Sequence, residues 1–227
     1  MANIKSPFHQ IGVTFKDQPI LPFLENTILA KKYLKKIQGK DITKLFIGWI
    51  CDRDSFFAYL YKFMKKEARD SGSTKLASKI ACAGFSILLP EINNWILENA
   101  LLILIIPVPS RYGVSERFAT KLYEMLNKDS KKVSKIKKIF NRSDNFMEIK
   151  KIDSWKKRKQ AVENLFSLRT GLDLNKYSVL LVDDIVTSGS SLRKCANILK
   201  QCGVQNIAAV SLATNLFDRY SYKTKYK

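Results

Sequence analysis

Residues Val179 to Leu192 read VLLVDDIVTSGSSL. An apolar run ends in two adjacent aspartates, Asp183 and Asp184, and a loop of small hydroxylated residues follows. Two like charges at the end of an apolar segment suit acceptor chemistry, because carboxylates take hydrogen bonds from sugar hydroxyls. Thr187, Ser188, Ser190 and Ser191 carry hydroxyls, and Gly189 permits a tight turn and a close backbone approach. The loop leads into a helix start, where unpaired backbone N–H groups and the helix dipole favour an anion such as phosphate. Acceptors for hydroxyls beside a cradle for phosphate match a ribose 5-phosphate.

The elements that position these residues follow from the apolar pattern. SVLLVD reads as a buried strand, SLRKCANILKQC as a helix closed by Gly203, and QNIAAVSLAT as a second strand. Strand, helix and strand with short joints make a parallel crossover unit, and open parallel sheets bind ligands beyond the carboxyl ends of their strands. Upstream, LLILIIPVPSRYG reads as a strand running into a loop, and Ser115 opens a helix with Phe118, Leu122, Met125 and Leu126 on one side. Residues 53–99 read as helical, with Asp54 placed to cap the first helix. AVENLFSL is a short apolar element. Residues 1–50 are the hardest to place: HQIGVTF suits a strand and LENTILAKKYLKKI a helix.

Bulk properties exclude several classes. The single histidine, His9, rules out a multi-histidine metal site and leaves no Ser-His-Asp triad unless the amino terminus folds back. None of the four cysteines forms a C-x-x-C pair, so a zinc site is not expected, and Cys195 and Cys202 read as buried free thiols on the Leu192 and Leu199 face. The longest apolar run, Ala100–Val108, is shorter than the roughly 20 residues a membrane helix needs, and the first residues lack a signal-peptide core. A cytoplasmic protein with no membrane partner is the expectation. The net charge of +20 attracts polyanions. Lysines interleave with Phe140, Phe146 and Trp155 over residues 131–159, a composition shared by single-strand nucleic-acid binders and by partly packed surface loops. Lys137, Lys138, Trp155, Lys156 and Lys157 are the candidate DNA or RNA contacts there.

Val179–Ser191 resembles the phosphoribosyl-pyrophosphate (PRPP) motif of type I phosphoribosyltransferases. IIPVPSRYGVSERF and RKQAVENLF are similar to segments of the ComF-like members, and the likeness spans roughly residues 60–214. The resemblance implies an α/β fold: a mainly parallel sheet flanked by helices, with a divergent, mostly helical amino-terminal segment. It divides the chain into a segment 1–60 without the ComF zinc finger, a transferase-like domain 60–214 and a basic tail 215–227. It implies that Asp183 and Asp184 meet the ribose hydroxyls, that Thr187, Ser188, Gly189, Ser190 and Ser191 hold the 5′-phosphate, and that Ser110 and Arg111 face pyrophosphate, with Arg111 assisting its departure. Mg²⁺ is the implied cofactor, held mainly by substrate oxygens near Asp183 and Asp184. Residues 131–159 fall where such proteins carry a hood over the site. The sequence departs from the ComF pattern at Arg117, Phe118, Ala119, Thr120 and Ala161, all outside the phosphate loop. Two readings follow: a magnesium-dependent protein that binds PRPP or a related phosphoribosyl ligand and transfers the phosphoribosyl group, or a non-catalytic relative working with nucleic acid in DNA uptake, regulation or retron-type antiphage defence. A third use is docking of a protein partner by the amino-terminal segment.

Overall fold

The computed structural model describes residues 34–50, 56–71, 75–110, 112–127, 131–143, 165–168, 173–186 and 188–214. The expected strand HQIGVTF, the Asp54 cap, Arg111, Thr187, Trp155, Lys156, Lys157 and the tail lie outside them. In chain order the elements are β1 (Lys44–Ile50), α1 (Phe56–Asp70), α2 (Lys75–Glu98), β2 (Leu102–Pro107), α3 (Val114–Leu126), β3 (Val133–Ile136), β4 (Phe140–Arg142), β5 (Phe166–Leu168), β6 (Tyr177–Val186), α4 (Ser190–Gln201) and β7 (Ile207–Thr214).

Five strands form one parallel sheet in the order β1-β7-β6-β2-β3. Its central strands are apolar runs because helices cover both faces, which removes the alternation of a half-exposed strand. Every residue of β7 is buried, and so are Val179 to Asp184 of β6. The crossover from β6 through α4 steps to β7, and the crossover from β2 through α3 steps the opposite way to β3. Right-handed crossovers running in opposite directions put α3 and α4 on opposite faces. The chain therefore reverses between β2 and β6, and a crevice opens beyond their carboxyl ends. A mainly parallel sheet flanked by helices is the α/β architecture the sequence led us to expect.

α2 packs beside α3, with the Phe85 and Phe118 rings edge to face at 6.0 Å. α2 is long and apolar enough to cross a membrane by length and composition, a property the sequence reading sought only in Ala100–Val108. Its Ile80, Phe85, Leu88, Ile92 and Ile96 are buried in the same core as the sheet. On α4, Leu192, Cys195, Ala196 and Leu199 form the buried stripe, with Cys202 at the C-cap and Gly203 in the left-handed region (φ 86°) that ends the helix. β1 was not expected from sequence: KLFIGWI pairs in parallel with β7 and gives the sheet an edge from within the amino-terminal segment. Its Gly48 lets the strand close on the Leu212 carbonyl, which a Cβ would meet at 2.7 Å.

At the amino ends of the strands, Asn99 is a buried polar hub. Its amide donates to the Trp95 carbonyl at 2.5 Å and its Oδ1 accepts from the Ser178 hydroxyl at 3.0 Å and from the Asn206 amide. Thr43 joins by donating to Asn206 at 2.7 Å. The loops before β1, β2 and β7 and the start of β6 are thereby fastened to one another.

Candidate active site at the chain reversal

Asp183 and Asp184 occupy β6 three and two residues before its end, beside Ser211 of β7 and beyond the last paired residues of β2. Both are buried, at 9% and 8% exposure, which decides their electrostatics. Asp183 Oδ1 accepts the Asp184 backbone N–H at 2.9 Å and lies 3.4 Å from the Ser115 hydroxyl, which donates to it. Asp184 Oδ1 accepts the Ile185 N–H at 2.7 Å. Burial first, and the neighbouring Asp184 carboxylate second, push the Asp183 carboxyl well above the usual carboxylate range. A group so placed gains from any donor or cation that would support its charge.

The loop expected to hold phosphate follows directly. Ser188 and Ser190 hydroxyls lie 2.9 Å apart, and the Ser190 N–H points at Ser188 Oγ at 3.4 Å. Gly189, with φ 70°, is the N-cap of α4 and carries no side-chain cap. The sequence assigned its freedom to a close backbone approach, and the structure identifies a neighbour that approaches. A Cβ at Gly189 would stand 2.5 Å from the Ile37 carbonyl oxygen and 2.9 Å from Ile37 Cα. The first-turn N–H groups of α4 have no intrahelical acceptors by geometry, so this helix start suits an anion.

Across the crevice, the loop after β2 starts α3. Ser110 Oγ accepts the Ser115 N–H at 3.2 Å and donates to Glu116 Oε2 at 2.9 Å. Gly113, the N-cap with φ 66°, makes no side-chain cap bond, and the Ser110 hydroxyl supplies that function from three residues upstream. Ser110 therefore both sits on the expected loop and fixes where α3 begins. Lys137 and Lys138 follow β3 on the same carboxyl rim, with the Lys137 N–H bonded to the Ile105 carbonyl at 3.0 Å. Next to them β4 and β5 form an antiparallel pair, and Arg142 of β4 reaches the Pro109 carbonyl at 3.4 Å.

The structure thus brings together Asp183, Asp184, Ser188, Gly189, Ser190 and Ser191 at one strand end, and Ser110 connects to Asp183 through Ser115. Sequence reasoning passed over Ser115, Glu116, Arg142, Arg193 and Ile37, which connect to the site through tertiary contacts. Thr214, fully buried at the end of β7 opposite Val186, has a hydroxyl with no hydrogen-bond partner among the described residues. Among those residues, no three His, Cys, Asp or Glu side chains gather as a metal cage.

Comparison with known proteins agrees with this architecture. Residues 119–227, just under half of the chain, match the phosphoribosyl transferase domain family. The match contains β6, the aspartate pair, the loop after them, α4 and β7, and begins inside α3, after the Ser110 loop. The chain is similar to a ribose-phosphate pyrophosphokinase of Mycoplasmopsis pulmonis, 23% identical over 198 residues, covering 76% of this chain and 61% of that one. It is also similar to an orotate phosphoribosyltransferase of Helicobacter pylori, 38% identical over 55 residues, covering 24% of this chain and 27% of that one. The chain therefore spans less than two thirds of the length of either relative.

Proposed function

We propose that the chain binds PRPP or a closely related 5-phosphoribosyl ligand in the crevice between β2 and β6. In this reading Asp183 and Asp184 accept hydrogen bonds from the ribose 2′ and 3′ hydroxyls. Thr187, Ser188, Gly189, Ser190 and Ser191 receive the 5′-phosphate, and Ser110 and Arg111 face the pyrophosphate. The carrying observation is the buried carboxylate pair set directly before an uncapped helix start, at the point where the sheet's winding reverses. The working unit is residues 60–214, to which residues 34–50 add an edge strand and a turn against the phosphate loop. The name of the pyrophosphokinase relative, which covers most of this chain, supports a ribose-phosphate ligand. The PVPSRYG loop and the RKQAVENLF segment support a ComF-like member acting in the cytoplasm.

Two buried carboxylates with no third protein ligand among the described residues fit Mg²⁺, which keeps several waters and is commonly bound through one or two carboxylates plus substrate phosphates. Asp183 and Asp184 would face it, and the ion would supply charge neutralisation on the pyrophosphate. The chain's own contribution is positioning: hydroxyl acceptors fix the ribose, and helix-start N–H groups fix the phosphate. Transfer would break the C1–O bond to pyrophosphate and form a bond from C1 to an incoming nucleophile, with Arg111 beside the departing anion.

Titration calorimetry with PRPP and Mg²⁺ tests the reading. The wild type should bind, and a folded variant with both Asp183→Asn and Asp184→Asn should not. Equal affinity in the two proteins, or no binding by the wild type, removes the ribose assignment. A second reading, nucleic-acid binding without transfer, draws on the +20 charge and on Lys137 and Lys138 lying at the same rim. Trp155, Lys156 and Lys157 would extend that footprint, and a protein partner would meet the amino-terminal segment.

A further inference from the structure

Two glycines in the left-handed region, 150 residues apart in sequence, make room for each other's segments. Gly39, with φ 68°, closes the helical turn at 34–38 through its N–H to the Lys35 carbonyl at 2.9 Å. A Cβ there would strike Arg193 Cδ at 2.5 Å. Gly189 in turn leaves space for the backbone of Ile37. Between them, Arg193 Nη1 donates to the carbonyls of Lys36 at 2.6 Å, Ser188 at 2.7 Å and Ile37 at 3.2 Å, and Nη2 lies 3.5 Å from Ser190 Oγ. Lys36 and Ile37 sit at the carboxyl end of a helical segment, where carbonyls lack intrahelical donors, so a guanidinium is a fitting partner. None of the ion pairs found among the described residues involves Arg193, and its charge is met by carbonyl dipoles instead.

We propose that Arg193 is a positioning residue for the phosphate loop, clamping Ser188–Ser190 against the turn at 34–39. The proposal rests on the phosphoribosyl-binding reading. The guanidinium draws the Ser188 carbonyl to itself, which turns that lone-pair-bearing oxygen away from an incoming phosphate and leaves the helix-start N–H groups to face it. Arg193 touches neither ligand nor reacting atoms; it acts through the loop. The amino-terminal turn is then part of the site's back wall, and phosphate binding is coupled to a segment more than 140 residues upstream. One guanidinium nitrogen meeting three carbonyls while the other reaches Ser190 Oγ is a geometry lysine reproduces only in part.

Arg193→Gln and Arg193→Lys separate this from a purely structural role. Ribose 5-phosphate affinity is measured by calorimetry, and amide hydrogen exchange is followed in the absence of ligand. We expect Arg193→Gln to weaken ribose 5-phosphate by roughly tenfold or more, the factor that one charge-assisted hydrogen bond carries. Arg193→Lys should recover part of that loss. In Arg193→Gln, exchange at residues 188–191 and 34–39 should accelerate together, while β2 and β3 keep wild-type protection. Unchanged affinity in the folded Gln variant overturns the proposal, and so does unchanged exchange at either segment. If the wild type binds no ribose 5-phosphate, the phosphoribosyl reading falls, and the exchange measurement decides the clamp by itself.

Discussion

Replacing Asp183 with Asn should stabilise the fold while weakening the ligand. The carboxyl is buried, and burial together with the Asp184 charge raises it well above its ordinary range. Its ordinary value in an unfolded chain is near 3.9. A folded value above the unfolded one means that the native state holds the proton more tightly. Stability from this group is then fully present at acid pH and is lost as pH rises from the unfolded value through the folded one. Over that window a single proton changes stability by at most about 1.4 kcal/mol per pH unit. Asn keeps an oxygen for the Asp184 N–H and the Ser115 hydroxyl and carries no charge. The difference between the variant and the wild type, from urea unfolding at a series of pH values, should be smallest near pH 3. It should grow in the variant's favour towards neutral pH and level off above the raised value. Ribose 5-phosphate affinity should move the other way, falling about 10- to 150-fold for the loss of one charge-assisted hydrogen bond of ~1.5–3 kcal/mol. Wild-type binding should strengthen as pH rises through the same window, and the variant should lack that component. A variant less stable than the wild type at neutral pH, or one that binds ribose 5-phosphate as the wild type does, refutes the reasoning.

Gly189→Ala must adopt a positive φ, at a cost of about 1–2 kcal/mol, and must also displace the Ile37 backbone, so its midpoint in denaturant should fall by more than the backbone penalty alone. An alanine variant of wild-type stability contradicts the packing. Thr214→Val deletes a buried hydroxyl with no partner among the described residues, and chemical denaturation should show a gain of about 1–3 kcal/mol from the relieved desolvation; a clear loss would mean that the hydroxyl is satisfied. If the basic rim binds single-stranded nucleic acid, changing Lys137, Lys138, Lys156 and Lys157 to Gln should flatten the logarithmic salt dependence by roughly two to three units, at about 0.7 per phosphate. A gel-shift salt titration reads this, and an unaltered slope moves the footprint elsewhere.

The parts of the site that sequence made legible are the parts whose chemistry is local. Asp183, Asp184 and the loop to Ser191 are contiguous, so strand, acceptor pair and helix start could be read in a single stretch. The crossover to β7 was visible because both strands are buried apolar runs, and the helices between residues 56 and 126 announced themselves by spacing. β1 was not visible. KLFIGWI closely follows a lysine-rich segment with helical spacing, and its partner strand begins at Ile207, a pairing no local pattern encodes. β3, β4 and β5 are three or four residues long, below the length at which alternation is informative. Arg193 looked like an ordinary polar residue on an amphipathic helix. Its role depends on a turn at 34–39 that sequence could not bring near it, and the same is true of Ser115 against Asp183 and Arg142 against Pro109.

The polar hub around Asn99 lies at the opposite end of the sheet from the aspartates, yet it governs which way they look. Neighbouring residues of a strand point to opposite faces, so a slip of β6 by one residue would exchange the orientations of Asp183 and Asp184. A purely apolar strand between apolar strands has little to oppose such a slip, because Val179, Leu180, Leu181 and Val182 are nearly interchangeable in size and chemistry. Ser178 is not interchangeable with them: its hydroxyl must reach Asn99, while Asn206 holds the start of β7 to the same amide. The hub works as the zero mark of a ruler, and the carboxylates are read five and six residues along it, about 16–20 Å away. If the phosphoribosyl-binding reading holds, substitutions at Asn99 would therefore present as defects of ligand orientation in a protein whose aspartates and helix start are all intact.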